Sequence, residues 1–228
     1  MSLLLARRGA IAVRSSLGSP PLAEYPFNEQ TGVVSADMSG NAAPNADVFG
    51  WSASGGDGGS GGVVTSIADG IAAGVWGLGL PASTSTWTVR CWARAANLTA
   101  PTTRFLFAVA DDAYADIWCD LRVDTAGVLR GVVQNPTGWS TLYNGNFGTA
   151  DTNGHKFAIV RNGTSVLFYR DGTLLGTATG LSRPPQSTLA IEMGGNDGGS
   201  TLVYADSLRI FDRAQSAAEG AAWDSITP

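Results

Sequence analysis

Apolar and polar positions alternate most clearly between residues 154 and 176, in the segment GHKFAIVRNGTSVLFYRDGTLLG. Three apolar runs in this segment are separated by Asn162-Gly163 and Asp171-Gly172. Such dipeptides accept the positive φ angles that tight hairpin turns need. The pattern therefore predicts three consecutive antiparallel strands, a β-meander.

A last strand and a short helix are predicted after the meander, in the segment LVYADSLRIFDRAQSAAEGAAW. Ser216 and Glu219 have the S-x-x-E spacing of a capping box, in which each side chain accepts a hydrogen bond from the other residue's backbone amide. An Ala-rich turn follows them. We therefore expect a helix near residues 214–223.

The order of these elements resembles the laminin-G-like, concanavalin-A-like jelly-roll family. Two further segments add to the resemblance: AEYPFNEQTGVVSADMSGN looks like the opening strand and acidic turn, and TWTVRCWARAAN looks like the aromatic strand. The resemblance implies an all-β fold, a two-sheet antiparallel jelly-roll sandwich with a short C-terminal helix, over residues 23–228. It also implies binding of carbohydrate or protein surfaces. The Gly55–Gly62 tract departs from the family pattern, and residues 1–22 have no counterpart in it.

The amino-acid composition argues against some kinds of function for this protein. The 228 residues include 30 glycines and only 14% charged side chains, which suits one domain of many short strands and turns. The net charge of −5 argues against nucleic acid as a partner, because nucleic-acid binding needs a basic face. No apolar run of about 18 residues occurs, so we expect no membrane span.

The first 22 residues are predicted to be an N-terminal arm for assembly or anchoring. Arg7, Arg8 and Arg14 interrupt its apolar stretch, which is the wrong order for a secretory signal. A domain of extracellular type without an export signal fits a virion protein released by lysis, and the layout is similar to lectin-like modules of phage tail and head proteins. We therefore expect a location on the virion surface, contacts of the arm with virion shell or tail proteins, and a homo-oligomer in the assembly. The alternatives are a disordered leader for the arm and an extracellular location for the chain.

Cys91 and Cys119 each share one face of a predicted strand with apolar residues. Buried free thiols are expected, because cysteine packs as a small hydrophobic residue. A disulfide stays open as an alternative that needs adjacent strands in register. His155 is interpreted as a solvated turn residue.

The opposite faces of the same two strands predict a sugar-binding surface. Asp116, Trp118, Asp120 and Arg122 alternate with the core positions of the second strand. Sugars stack on aromatic rings while carboxylates and guanidinium groups bond their hydroxyls. We expect Trp118, Asp120 and Arg122 to contact carbohydrate, such as a cell-surface or environmental polysaccharide. The alternative is that this face is covered and its tryptophan is a packing residue. Arg90, Trp92 and Arg94 are placed likewise on the first strand, where the resemblance implies a structural role for Trp92.

A second binding candidate is the segment from Gln134 to Gly154, interpreted as a loop. Trp139, Tyr143 and Phe147 stand there among Gly, Asn and Thr. Loops on a rigid scaffold often carry binding groups, so we expect Trp139 and Tyr143 to contact a glycan. The alternative is a β-hairpin that turns at Asn144-Gly145.

The resemblance also implies a structural Ca²⁺ between the first acidic loop and the last strand. Asp37 and Asp206 match the family's aspartates, and Asn41 adds a side-chain oxygen. Hard oxygen ligands of this kind suit Ca²⁺. Ser207 stands where the family often has Glu, which removes one carboxylate. The alternative is that both aspartates are turn formers.

Catalysis is not expected. The glucanase branch of the superfamily carries E-x-D-x-E on one strand, and this string is absent from the sequence. Asp116 and Asp120 share a strand face, but four strand residues separate them by about 13 Å, too far for a glycosidase pair. The sequence thus predicts a non-catalytic virion structural protein with a carbohydrate-binding-type domain. The alternatives are a decoration protein without ligand and a secreted carbohydrate-binding accessory domain.

Overall fold

The computed structural model describes residues 19–27, 29, 31–52, 56, 62–64, 71–79, 86–98, 102–110, 118–135, 140–181, 188–196 and 202–225. These residues form sixteen strands and one helix. In chain order they are β1 (Ala23–Tyr25), β2 (Val34–Ser35), β3 (Ala46–Val48), β4 (Trp51–Ser52), β5 (Gly62–Val64), β6 (Ile71–Gly79), β7 (Thr86–Ala95), β8 (Arg104–Ala110), β9 (Trp118–Val123), β10 (Val128–Asn135), β11 (Ser140–Thr149), β12 (His155–Asn162), β13 (Ser165–Arg170), β14 (Thr173–Ala178), β15 (Thr188–Asn196), β16 (Val203–Phe211) and α1 (Ala217–Asp224).

The strands form two antiparallel sheets of eight. The first sheet has the order β14-β13-β12-β7-β16-β5-β4, with β1 also paired to β16. The second sheet has the order β11-β10-β9-β8-β15-β6-β3-β2. Half of the neighbouring pairs join strands that are not consecutive in the chain, as in a jelly-roll sandwich. The expected all-β fold is confirmed.

The meander predicted from the turn dipeptides is confirmed. β12, β13 and β14 pair in succession, and Asn162 lies opposite Ser165. Gly163 has a φ of +61°, while Asp171 and Gly172 have φ angles of +49° and +77°. Two consecutive residues with positive φ form a hairpin turn whose twist matches that of the strands.

The core lies between the sheets and contains large side chains from both, including the fully buried Trp87, Phe107 and Phe168. Cys91 and Cys119 are buried within it on opposite sheets, and both are free thiols as expected. Burial raises the pKa of the Cys119 thiol, because the thiolate would lose its hydration.

Helix α1 begins with the predicted capping box. The Ser216 hydroxyl accepts a bond from the Glu219 amide, and the Glu219 carboxylate accepts one from the Ser216 amide. The helix packs on the outer face of the first sheet, where Gly220 lies so close to Arg90 that a methyl group there would come 2.2 Å from the guanidinium. Arg90 therefore lies on the predicted face of β7 but is buried there beneath α1.

Trp92, which follows on the same face of β7, is also buried. A methyl group on Gly154 would lie 1.8 Å from its ring, so the chain before β12 crosses directly over the indole. This agrees with the packing interpretation of Trp92.

Arg209 on β16 holds both ends of the domain. Its Nε donates to Glu24 Oε1 on β1 at 2.9 Å, and its Nη1 donates to the Trp223 carbonyl of α1 at 3.0 Å. Both side chains of the ion pair are buried. Nearby, the Leu22 amide donates to the Ile210 carbonyl, and Arg213 donates to the Ser19 carbonyl.

Residues 1–18 of the predicted arm lie outside the described residues. In the described part of the chain, no helix has the length and apolar character needed to cross a bilayer.

Candidate functional site

The outer face of the second sheet, the side turned away from the core, carries Asp120 and Arg122, two of the predicted sugar-binding residues. Cross-strand pairing places one row of residues side by side along this face: Asn144, Val132, Asp120, Ala108, Glu192, Gly74 and Asp47, from β11 to β3. Neighbouring strands lie about 4.8 Å apart, so the row is roughly 29 Å long. The residues around the β9 part of this row differ from those around the β6 part.

The part of the row on β9 is covered and not exposed to solvent. Asp120 has 0% exposure, and both of its carboxylate oxygens are held by Arg122, two residues along the same strand. The guanidinium of Arg122 also lies 4.6 Å from the centre of the Phe105 ring. Asp120 lies on the predicted face of β9 but is covered there, because alternation fixes the face of a strand and not what covers that face.

The structure describes only some of the residues that were predicted to contact carbohydrate together with Asp120. Trp118 opens β9 and pairs through its backbone with Ala110 and Gln134. Trp139 and Asp116 lie outside the described residues. The glycan contact predicted for Trp118, Asp120, Arg122 and Trp139 therefore stays a prediction.

A second ion pair lies beyond Arg122. Arg130 donates to Asp124 Oδ2 at 2.6 Å, and Asp124 also accepts from the Ala126 and Val128 amides in the turn between β9 and β10. Burial acts to raise the pKa of Asp124, but these amides and Arg130 outweigh it, so the pKa lies below its ordinary value. Both arginines at this end are thus matched by carboxylates.

Tyr143 belongs to a strand and faces the core. The segment interpreted as a loop is largely strand β11, which pairs with β10 and runs straight through Asn144-Gly145 without turning. The Tyr143 ring stacks on Phe168 at 5.9 Å with an interplanar angle of 10°, and Phe147 contacts the same ring at 5.8 Å. Tyr143 and Asp120 lie on opposite faces of the sheet, so they do not form one site. Both the loop and the hairpin at Asn144-Gly145 were wrong.

An aromatic residue that the sequence analysis did not consider, Trp76, stands at the β6 end of the row. A methyl group on Gly74 would lie 2.1, 2.5 and 2.6 Å from three carbons of the Trp76 ring, so the indole lies flat over Gly74. Trp76 is half-buried. The spacing G-x-W on a strand was the available signal, since residues i and i+2 share a face and only glycine lets the ring lie down.

Carboxylates flank the Trp76 ring on both neighbouring strands. Gly74, under the ring, pairs with Asp47 on β3 and with Glu192 on β15. Asp47 is exposed and Glu192 is half-buried. Phe49, with 38% exposure, meets the Trp76 ring edge-on at 6.3 Å and an angle of 89°. We name Trp76, Phe49, Asp47, Glu192 and Gly74 together the β6 plate.

Asp37 and Asn41, two of the calcium ligands predicted from the resemblance, take part in local hydrogen bonds, and the Ca²⁺ site stays a prediction. The two Asp37 oxygens accept bonds from the amides of Glu24, Ser39 and Ala43 and from the Ser39 hydroxyl, which is the turn-forming alternative. Asn41 donates its amide nitrogen to the Pro21 carbonyl at 2.8 Å, and Asp206 is buried on β16. Within the described ranges, no group of three or more His, Cys, Asp or Glu side chains could hold a metal ion.

His155 is not a simple solvated residue. Its Nδ1 lies 2.6 Å from Asp171 Oδ2, and its Nε2 lies 3.1 Å from both Asp151 oxygens. Burial acts to raise the pKa of Asp151, but the Asn153 amide and the His155 ring outweigh it and the pKa is lowered. The ring therefore ties the chain before β12 to the turn between β13 and β14.

Comparisons with solved structures give the same architecture. The chain is similar to botulinum neurotoxin type C, which depends on two ganglioside molecules to enter cells, at 12% identity and a TM-score of 0.65 over 92% of this chain and 51% of that chain. It is similar to the botulinum neurotoxin serotype D ligand binding domain in complex with N-acetylneuraminic acid, at 11% identity and a TM-score of 0.65 over 93% and 53%. It is also similar to the Trypanosoma rangeli sialidase, at 13% identity and a TM-score of 0.63 over 88% and 32%.

The chain spans about half the length of these toxin domains and a third of the sialidase. At such identities the likeness shows the fold alone. No curated protein matches the sequence. The family model described as the concanavalin A-like lectin/glucanases superfamily, laminin G type, matches residues 57–219. Together with the two-sheet sandwich, this match places the chain in the concanavalin A-like lectin/glucanase superfamily.

Proposed function

We propose that this chain is a non-catalytic carbohydrate-binding domain that contacts glycans through the β6 plate on the outer face of its second sheet. The observation that carries the proposal is the Trp76 ring lying flat over Gly74 between two cross-strand carboxylates. Sugar rings stack their C–H faces on indole rings, and carboxylates accept bonds from sugar hydroxyls.

The geometry of the plate suits one sugar ring. The Asp47 and Glu192 backbones lie one strand spacing on either side of Gly74, about 10 Å apart in total. That separation lets both carboxylates reach the edges of a sugar stacked over the indole. Phe49 extends the apolar surface toward β3. The similarity in fold to a neurotoxin that interacts with gangliosides and to a binding domain in complex with N-acetylneuraminic acid supports a glycan as the ligand class.

Removing the ring tests the proposal. We expect Trp76→Ala to lower glycan affinity about five- to 150-fold, since stacking of a nucleobase on an aromatic side chain contributes on the order of 1–3 kcal/mol. The measurement is retention on a panel of immobilised neutral, amino and acidic glycans, followed by calorimetric titration with the glycan best retained.

Two further variants separate binding from folding. Gly74→Ala keeps Trp76 but pushes its ring off the strand, and we expect it to weaken binding too. Tyr204→Ala, which removes a half-buried aromatic from the other sheet, should bind normally. If Trp76→Ala and Gly74→Ala keep full affinity while melting normally, the β6 plate is not the site.

The place of the domain on a phage virion is a separate proposal that rests on the sequence of residues 1–22. We expect a chain lacking residues 1–21 to stay folded, because the pairing of β1 with β16 begins at Leu22. We expect the same chain to be lost from purified particles, as measured by mass spectrometry of the virion. Normal incorporation of the shortened chain would show that the arm is not the anchor.

A further inference from the structure

The two aromatic rings of the β6 plate stand at a right angle to each other. A methyl group on Gly74 would lie 2.1 Å from Cη2 of the Trp76 indole and 2.5 and 2.6 Å from the two carbons bonded to it, so the methyl direction runs along the normal to the ring. Side-chain bonds leave a strand roughly perpendicular to the sheet, so the indole plane is parallel to the sheet. Phe49 makes an angle of 89° with the indole at a centroid distance of 6.3 Å. The phenyl ring therefore stands upright, and the plate has an indole floor and a phenyl wall.

Asp47 lies on the same side of the floor as this wall. It pairs with Gly74, while the Phe49 amide donates to the Ala72 carbonyl, so both residues lie directly beside β6. They are two residues apart in an extended segment, which separates their backbones by about 6.6 Å and turns both side chains to the outer face. Both side chains are exposed. One edge of a sugar stacked on Trp76 would thus meet a hydrogen-bond acceptor and an apolar surface side by side.

We infer that the β6 plate selects sugars that carry an acetamido group at the edge of the stacked ring. The amide N–H of this group donates to the Asp47 carboxylate, and its methyl packs on the Phe49 ring. A hydroxyl in the same place donates to Asp47 but brings no apolar group to Phe49. This inference rests on the proposed function.

An ammonium group is the strongest competitor for the same place, because it pairs with the Asp47 carboxylate through its charge. Asp47 is exposed, and ion pairs at an exposed carboxylate contribute little because water and salt screen them. The ammonium group also leaves the Phe49 ring uncovered. We therefore expect the methyl contact to decide in favour of the acetamido sugar.

The test compares three trisaccharides on the full chain: N-acetylated chitotriose, its de-N-acetylated cationic form, and cellotriose. They share one backbone and differ at C2, which carries an acetamido, an ammonium or a hydroxyl group. N-acetylgalactosamine and galactose form a second pair of the other C4 configuration. We expect the acetamido member to bind about fourfold or more tightly than the hydroxyl member, the effect of burying one methyl group. At physiological salt it should also bind more tightly than the cationic trimer.

Variants separate the wall from the acceptor. Phe49→Ala should bring the preference for acetamido over hydroxyl close to one, while Phe49→Leu, which keeps an apolar wall, should retain it. Leu142→Ala removes a side chain of similar exposure (48%) from β11 and should leave the preference unchanged. Asp47→Ala should weaken all three trisaccharides, the cationic one most, and keep the preference for acetamido over hydroxyl.

The inference is overturned if cellotriose or the cationic trimer binds as tightly as N-acetylated chitotriose in a Trp76-dependent way. A preference for acetamido that survives in Phe49→Ala overturns it as well. The proposed function stands in both of those cases. Absence of binding to every glycan of the panel would instead refute the proposed function itself, and the inference with it.

Discussion

Arg209→Met is expected to lower the free energy of unfolding by about 3 kcal/mol or more. The substitution removes the guanidinium from the buried Glu24 carboxylate and from the Trp223 carbonyl, so it weakens the attachment of both β1 and α1 to β16. Breaking a buried ion pair by removing one partner is far more costly than breaking an exposed one. Urea unfolding followed by tryptophan fluorescence measures the loss.

A surface pair provides the control for this prediction. Arg130→Met breaks the partly exposed pair with Asp124 and should cost no more than about 1 kcal/mol. The double variant Glu24→Gln/Arg209→Met should recover part of the loss, because it no longer buries a charge. Equal costs for Arg209→Met and Arg130→Met would mean that the buried pair does not hold the ends of the domain.

Phe168→Ala is expected to cost about 3–5 kcal/mol, the range measured when a buried aromatic ring is replaced by a methyl group. The Phe168 ring is fully buried and is contacted by Tyr143 and Phe147 from the opposite sheet, so its loss leaves a cavity bridging the two sheets. Thermal or urea unfolding measures the effect.

Leu174→Ala on the adjacent strand β14 is the matched control, because its side chain is 49% exposed and the change should stay within about 0.5 kcal/mol. Tyr143→Ala should be destabilising as well. A stable Tyr143→Ala variant that loses glycan binding would return Tyr143 to the recognition surface and contradict the packing described above.

Local signals account for the parts of the fold that the sequence predicts well. Asn162-Gly163 and Asp171-Gly172 specify their turns through the backbone angles that these residues tolerate, and the Ser216–Glu219 box is complete within four residues. Neither depends on distant partners. The family resemblance then supplies the two-sheet sandwich to which these strands belong.

The site needed information that no local pattern contains. Asp120 was assigned to the correct face of β9, but its burial depends on the strands and side chains around it. β11 has Asn and Gly at positions where a loop is expected, yet its ten residues form a strand because Tyr143 and Phe147 reach the core. Asp47 and Glu192 are 145 residues apart and meet only because β3, β6 and β15 are neighbours in the sheet.

The pairing of β1 with β16 has a mechanical consequence. The chain comes into β1 from Leu22, which bonds Ile210, and it leaves β16 one residue later at Phe211, so both directions of the backbone emerge at the same end of one antiparallel pair. Tension applied through these two ends opens the pair one hydrogen bond at a time instead of shearing all of them together. The applied force then acts on the contacts of Arg209 to Glu24 and Trp223, because Arg209 follows the first residue pair to separate.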